Sequence, residues 1–308
     1  MTQTKTIMKT IKSILLLCLS LTMISCGGPK SGPAMKVLSS KKYAEVVNKY
    51  YFVDSDFVDG VCIVATEEFY GLINAKGEEI VPCQYKDLDI AGEGLIIFEN
   101  RTKDENGWTI YSYGYLNNKG EEVVPAIYNP AGAFCDGLAV VAKKNAKGDR
   151  KYGYINNKGE EVIPLVYDRA YSFAEGLAVV LNGNKEYAIN TNNDIIITLD
   201  KKSEFLEEEF AHGLIPVITE GKRSYSVLFY NAKGEVAFTD TYLYATGFDE
   251  EGLAMVLTKS KEIVYINTKG EVQANRPSES EIEDFLDEAD WFVSDDIIET
   301  LMDLFDLW

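Results

Sequence analysis

The sequence predicts an all-β repeat protein of six units, each about 40 residues long, and three observations predict it. First, a turn of the form Asn-x-Lys-Gly recurs at Asn74-Ala75-Lys76-Gly77, Asn117-Asn118-Lys119-Gly120, Asn156-Asn157-Lys158-Gly159, Asn231-Ala232-Lys233-Gly234 and Asn267-Thr268-Lys269-Gly270. A decayed copy stands at Asn190-Thr191-Asn192-Asn193. Second, a Gly-apolar step opens a short apolar run at Gly60, Gly94, Gly137, Gly176, Gly213 and Gly252, at spacings of 34, 43, 39, 37 and 39 residues. Third, the runs between these marks are short, rich in β-branched and aromatic residues, and bounded by Gly, Asn and Pro. No sustained helical period precedes residue 278.

The turn comes first because it sets strand register. Its Asn side chain can bond its own backbone two residues on, and its Gly supplies the left-handed conformation that ends a short hairpin. Asn193 replaces that Gly with the residue next most tolerant of positive φ. The unit over 137–175 shows the rest. Leu138-Ala139-Val140-Val141 reads as a strand, 143–151 as a variable polar loop, Tyr152-Gly153-Tyr154-Ile155 as a second strand and Glu161-Val162-Ile163-Pro164 as a third. A loop then leads through Phe173-Ala174-Glu175 to the next unit. Pro82, Pro125 and Pro164 each stand five residues after a turn Gly, as suits a strand end or a sheet edge.

The two ends of the array read as out of phase with the unit. The last copy stops early in its third strand, and residues 47–60 match the missing back half. An end fragment that completes the other end's unit suits a closed ring, because closure removes two sheet edges. The expected architecture is therefore a six-bladed β-propeller-like toroid over 47–275, sealed by pairing of 47–56 with 262–272. An open β-solenoid of hairpins is the alternative.

The pattern Tyr152-Gly153-Tyr154-Ile155-Asn156-x-Lys158-Gly159-Glu160-x-Val162-Ile163-Pro164-x-x-Tyr167-Asp168, followed by Phe173-x-Glu175-Gly176-Leu177-Ala178-x-Val180, resembles the WG-containing repeat of bacterial proteins. The resemblance covers most of 47–275 and is specific over 113–180. The Trp of that family's Trp-Gly pair is Tyr70, Tyr113 and Tyr152 here, and the pair is lost around Tyr187 and Leu228. The resemblance implies β-rich repeat modules, often on secreted or anchored proteins, with no activity common to the family.

The N-terminus reads as an address. Lys5, Lys9 and Lys12 precede an apolar stretch over 14–24, which is of signal-peptide length and too short for a mature membrane span. It ends in Met23-Ile24-Ser25-Cys26-Gly27-Gly28, which resembles the bacterial lipobox and makes Cys26 the candidate lipidation site. Several acyl chains on one residue would anchor stably. With no acid directly after Cys26, an outer-membrane anchor facing the periplasm is expected. Residues 1–25 are then a signal peptide and 26–46 the lipidated Cys and its tether, in which Gly, Pro and Ser over 27–33 suit flexibility. Cys62, Cys83 and Cys135 occupy small-residue positions of the repeat and read as apolar fillers, with a Cys62–Cys83 disulfide left open.

The charge of −19 excludes nucleic acid and anionic membrane surfaces, which need a basic face. Twelve of the acids lie over 279–308, which contains no basic residue. Over 276–308 this tail is expected to be helical and amphipathic. Ser278-Glu279-Ser280-Glu281 has capping-box spacing, and Ile282, Phe285, Leu286 and Ala289 share one face. Packing of that face on the repeat domain is the favoured reading, and a partner-docking or calcium-responsive segment the alternative.

Few residues read as a site. The single histidine, His212, stands in the slot before the Gly-apolar step, where other copies have Asp59, Glu93, Asp136, Glu175 and Glu251. In a ring these five acids would form a carboxylate circle able to hold cations or a basic peptide. The alternative is that each caps backbone N–H groups of its own loop. Tyr115 and Tyr154 offer a glycan-stacking surface or a buried core. The sequence shows no phosphate loop, nucleophile elbow or paired metal-ligand spacing. The expectation is a non-enzymatic envelope lipoprotein that needs no cofactor or metal and binds protein or peptide, with a glycan or peptidoglycan binder as the alternative.

Overall fold

The computed structural model describes residues 32–33, 37–54, 56–221, 224–294 and 297–298. Cys26 and the signal-peptide segment lie outside them, as does most of the tail beyond Val293. Besides a short antiparallel pairing of Gly32–Pro33 with Asp56–Phe57, six antiparallel sheets of three or four strands follow one another in chain order, each a simple meander. The third is a clear example. Its strands are Ala131–Cys135, Leu138–Lys144, Arg150–Asn156 and Glu161–Tyr167, hydrogen-bonded in that order. The first sheet runs from Phe52–Val53 to Glu79–Tyr85, the second from Leu88–Gly92 to Glu122–Tyr128, and the fourth from Arg169–Ala170 to Ile195–Thr198. The fifth and sixth have three full strands, and single bridges, Tyr230 to Val236 and Ile266 to Val272, stand where a fourth would be.

The segment between the Tyr-Asp step and the Gly-apolar step is therefore a strand in most units, where the sequence suggested a loop. It opens the next sheet and does not close its own unit. This changes the phase of the repeat. Residues 52–53 pair with Val64 and Ala65, so the first sheet is complete within its own sequence. Among the described residues no backbone bond joins 47–56 to 262–272, and the expected exchange of strands between the ends is not made.

The core is a series of interfaces, because each sheet buries both faces. Leu72 and Val81 of the first sheet meet Ile96 and Leu116 of the second. Tyr115 and Val124 meet Phe134 and Val141 of the third, and Tyr154 and Ile163 meet Phe173 and Val180 of the fourth. Val179 and Ile197 then meet Ile215 and Val217 of the fifth. Sheets five and six share a cluster that includes Phe229 and Val256. No cluster combines residues of the first and sixth sheets among those described.

Two helices cover the end sheets. Helix α1 (Ser40–Lys49) is capped by Ser39 and buries Val46 against Cys62, Val64 and Ile73 of the first sheet. The tether expected up to residue 46 thus ends in a folded helix. Lys49 and the Tyr50 hydroxyl both bond Glu79, tying the helix end to the first sheet. Helix α2 (Glu279–Ala289) carries the expected capping box and places Ile282, Phe285, Leu286 and Ala289 in the cluster of sheets five and six. The Phe285 ring lies 5.2 Å from Tyr244. Neither helix is long and apolar enough to cross a membrane.

The turn glycines have two duties. Gly159 has φ +79°, which an L side chain rarely adopts, and a Cβ there would stand 2.8 Å from Val124 Cγ2 of the preceding sheet. Gly120 meets Val81 in the same way, whereas Gly77 meets Lys42 and Val46 of α1. Helix α1 therefore stands where a preceding sheet would stand.

Candidate functional site

The acidic slot is a joint between units. Asp59, Glu93, Asp136 and Glu175 have φ of 50–55° and are each followed by a Gly of positive φ. Two successive left-handed residues make a tight two-residue hairpin, whose twist matches the flanking strands. At Asp59-Gly60 the hairpin is closed by reciprocal backbone bonds between Val58 and Val61. The carboxylates then reach forward by one repeat. Asp59 accepts the Gly94 N–H at 2.7 Å, Glu93 that of Gly137 at 2.8 Å, and Asp136 that of Gly176 at 2.7 Å. Glu175 accepts from the N–H groups of His212 and Gly213. His212 continues the series, with Nε2 2.8 Å from the Asp249 carbonyl oxygen. Each carboxylate caps the next unit's turn, where the sequence had suggested its own.

Glu251 does not belong to this row. Around it Asp249 accepts from the N–H groups of Glu251 and Leu253, and Gly252 alone has positive φ. That geometry is the one made by the Asn-x-x-Gly turns, where Asn156 Oδ1 accepts from Lys158 and Glu160 and Asn156 Nδ2 donates to Glu160. The five acids therefore do not form a circle of equivalent carboxylates. Four of them already accept backbone N–H groups, and a cation would have to displace those bonds.

Tyr115 and Tyr154 are fully buried, and their hydroxyls donate to the Gly132 and Tyr171 carbonyls of the following sheet at 2.7 Å. They join units and offer no surface to a glycan. The Gly of each Tyr-Gly pair also has a physical cause. The fourth strand is irregular in register opposite Gly153, and its chain passes so close that a Cβ would stand 2.5 Å from the Ile163 carbonyl oxygen. Gly71 and Gly114 show the same approach at the same distance. Cys62 and Cys83 are free thiols, and burial pushes the Cys62 thiol up to about 12. The disulfide left open for them is not formed, whereas Cys135, read with them as an apolar filler, is disulfide-bonded.

Among the described residues, one surface open to a ligand lies between the second and third sheets. The second sheet has the longest hairpin, with nine-residue strands Leu95–Lys103 and Thr109–Asn117 against five residues each for Val61–Ala65 and Tyr70–Asn74. Its fourth strand stops at Tyr128, opposite Tyr113, so 109–112 project beyond it. A groove of about 410 Å³ opens there, lined by residues 109–112, 127–129, Lys143, Lys144 and Arg150. That volume lies in the usual range for ligand sites. Ile110, Tyr111 and Ile127 are exposed in it, with Trp108 at the hairpin tip beside them 74% exposed. Lys143 Nζ stands 4.3 Å from the Tyr128 ring centroid, which suits a cation–π contact. Asn129 Nδ2 donates to the Tyr111 carbonyl at 2.7 Å. No acidic residue lines the groove.

None of these residues stood out in the sequence. Lys143, Lys144 and Arg150 fall in a stretch read as a variable loop. Its own signal was Asn145-Ala146-Lys147-Gly148, a further copy of the turn, which closes the third sheet's long hairpin.

Comparison with known proteins agrees with this geometry. The family described as WG containing repeat matches residues 70–102, 113–146 and 152–185. Residues 70–185 carry WG repeats. Each matched segment opens on a Tyr-Gly pair, so one WG repeat comprises the third and fourth strands of one sheet and the first two of the next. A WG repeat thus spans an interface, with the Asp or Glu joint between its last two strands. Among curated proteins none matches the chain. Similar solved structures include apo AztD from Citrobacter koseri, at 10% identity over 73% of this chain and 72% of that one, with a TM-score of 0.39. An uncharacterized protein from Listeria monocytogenes EGD-e is 11% identical over 71% and 78%, with a TM-score of 0.38. A prolyl endopeptidase is 11% identical over 69% of this chain and 39% of its own, with a TM-score of 0.41.

Proposed function

We propose that this WG-repeat protein is a non-enzymatic binding or scaffold module for a protein or peptide, held at the bacterial cell envelope by a lipidated Cys26. The observation that carries the binding role is the uncovered strand over 109–112, which opens onto a cationic, partly aromatic groove. An unpaired strand edge beside side-chain pockets is the physical basis of peptide recognition by strand addition. The candidate reactive side chains serve structure, with His212 engaged by the Asp249 carbonyl and the repeated acids by backbone N–H groups.

We also read the six sheets as propeller-like blades in an open array. Among the described residues the first and sixth sheets share no cluster or strand pair and helices lie on both end sheets, which supports this. A glycan reading keeps one observation in its favour, the exposed Trp108 and Tyr111 rings.

Capture from envelope extracts tests the function. The wild-type chain should retain a protein that a Lys143→Glu/Arg150→Glu variant loses. Equal capture by both would refute the groove as the site. Binding to a glycan array with no protein recovered would favour the second reading. For the anchor, Cys26→Ala should abolish incorporation of labelled palmitate and release the protein from membranes. Unchanged labelling would refute it.

A further inference from the structure

Resting on the binding role just proposed, we infer that the groove takes an extended acidic peptide, which adds as a strand to the edge over 109–112 and sets its carboxylates against Lys143, Lys144 and Arg150.

The backbone supplies the first part. On one side, Thr109, Ile110, Tyr111 and Ser112 pair with Lys103, Thr102, Arg101 and Asn100. On the other side the fourth strand has ended, and the Tyr111 carbonyl is held only by the Asn129 side chain. Outward and inward residues alternate in an antiparallel ladder, so Tyr111 fixes the phase. The N–H and C=O of Thr109 and the N–H of Tyr111 therefore face the groove, and no backbone partner meets them among the described residues. Four residues of overhang correspond to about 13 Å of strand, room for about four residues of a peptide.

The equivalent edge of the third sheet shows what a covered overhang looks like. There Lys151 is paired with Asp168 at 2.6 Å, and Asp168 also accepts the Gly183 N–H. In the second sheet Asn129 stands in the place of Asp168, reaches the Tyr111 carbonyl and brings no charge to the edge.

Charge supplies the second part. The groove holds three cations and no acid, in a chain of net charge −19. Among the described residues none of the three is in an ion pair. Lys143 lies over the Tyr128 ring, and Arg150 is 3.5 Å from Asn129 Oδ1, so both head groups are held at the groove wall. A neutral or basic peptide would leave these charges unmatched, whereas alternating acids would meet them and leave alternate apolar side chains for Ile110 and Ile127.

The test uses the full chain and a fluorescein-labelled eight-residue peptide of alternating Asp and Val, read by fluorescence anisotropy. Binding should weaken as salt rises and fall at least tenfold in Lys143→Glu/Arg150→Glu. Thr109→Pro removes one outward N–H without changing charge, on an edge where Pro is tolerated, and should weaken binding several-fold with an unchanged circular dichroism spectrum. A peptide N-methylated at alternate residues that bound equally would overturn strand addition. Equal binding of the corresponding Lys-Val peptide would overturn the acidic specificity. A polyuronate that bound with the same dependence on Lys143 and Arg150, while the Asp-Val peptide did not, would overturn the ligand class. If the peptide fails while wild-type chain captures an envelope protein that Lys143→Glu/Arg150→Glu loses, this inference falls and the binding role stands. If that variant captures the protein unchanged, both fall.

Discussion

The Asp136 carboxylate accepts the Gly176 N–H at 2.7 Å across 40 residues of sequence, the length of one repeat. The same bond recurs from Asp59 to Gly94 and from Glu93 to Gly137, always pointing towards the C-terminus. Each donor turn needs two left-handed residues, and a non-Gly residue there is strained by about 1 kcal/mol or more. The forward bond offsets that strain. Neighbouring units are thus coupled in pairs, as expected of a quasi-one-dimensional array.

Removing one joint should weaken one interface. Asp136→Ala loses the bond and keeps an unfavourable φ, so urea unfolding should show a loss of about 1–3 kcal/mol. Asp136→Asn keeps an acceptor and tolerates the left-handed region, and should lose less than half as much. Equal losses would show that the bond contributes nothing.

The two glycine classes should differ in cause. Gly153→Ala places a Cβ 2.5 Å from the Ile163 carbonyl oxygen, a backbone atom that cannot move aside without shifting the fourth strand. Gly159→Ala meets only a Val124 methyl but adopts φ +79°. The first should cost about 3 kcal/mol or more and the second about 1–2 kcal/mol, both measured by denaturant unfolding. The reverse order would refute the close-approach explanation of the Tyr-Gly pair.

Much of this architecture was legible in the chain. Asn156 and Gly159 announced the hairpin, and the Gly137 series announced the period. The phase was not legible, because strands such as Arg169–Ala170 are short, carry charge and pair with the following unit. Helix α1 was missed for a different reason: Tyr43, Val46 and Tyr50 share the face packed on the first sheet, but the helix is short and lysines and other polar residues fill most of Ser40–Lys49. The joint was hidden because its partners are a repeat apart, and because Glu93 and Glu175 are unusual residues for positive φ. The groove depends on one strand outlasting its neighbour, which only the register reveals.

The ends should fail first. Phe285→Ala empties a fully packed site between α2 and Tyr244 and should cost about 3–5 kcal/mol. Val46→Asp should similarly strip α1 from the first sheet. Hydrogen exchange should then rise over 244–267 or 52–85 respectively, before it rises over 131–167. Uniform loss of protection would contradict an array coupled only through neighbours.

Helix α2 should be acid-sensitive. Bonds from the Ser278 hydroxyl, the Tyr265 hydroxyl and the Ser278 N–H hold the Glu281 carboxyl down at about 2. A depressed carboxyl contributes stability that is present above the ordinary Glu range and is lost as pH falls through that range towards 2. Burial raises Asp89 and Glu207 instead, which acts in the opposite direction. The difference in Tm between wild type and Glu281→Gln isolates the cap. It should shrink steadily from pH 5 to pH 2, and a constant difference would refute the assignment.

The joint between units is tested most directly by amide exchange at the turn glycines. Gly60 occupies the same turn as Gly94, Gly137 and Gly176, yet among the described residues no preceding carboxylate reaches its N–H. Nuclear magnetic resonance should find Gly60 exchanging fast and the other three slowly, with Asp136→Asn or Asp136→Ala accelerating Gly176 and leaving Gly94 unchanged. Protection of Gly60 equal to that of Gly137 and Gly176, or a Gly176 rate indifferent to Asp136→Ala, would contradict the account.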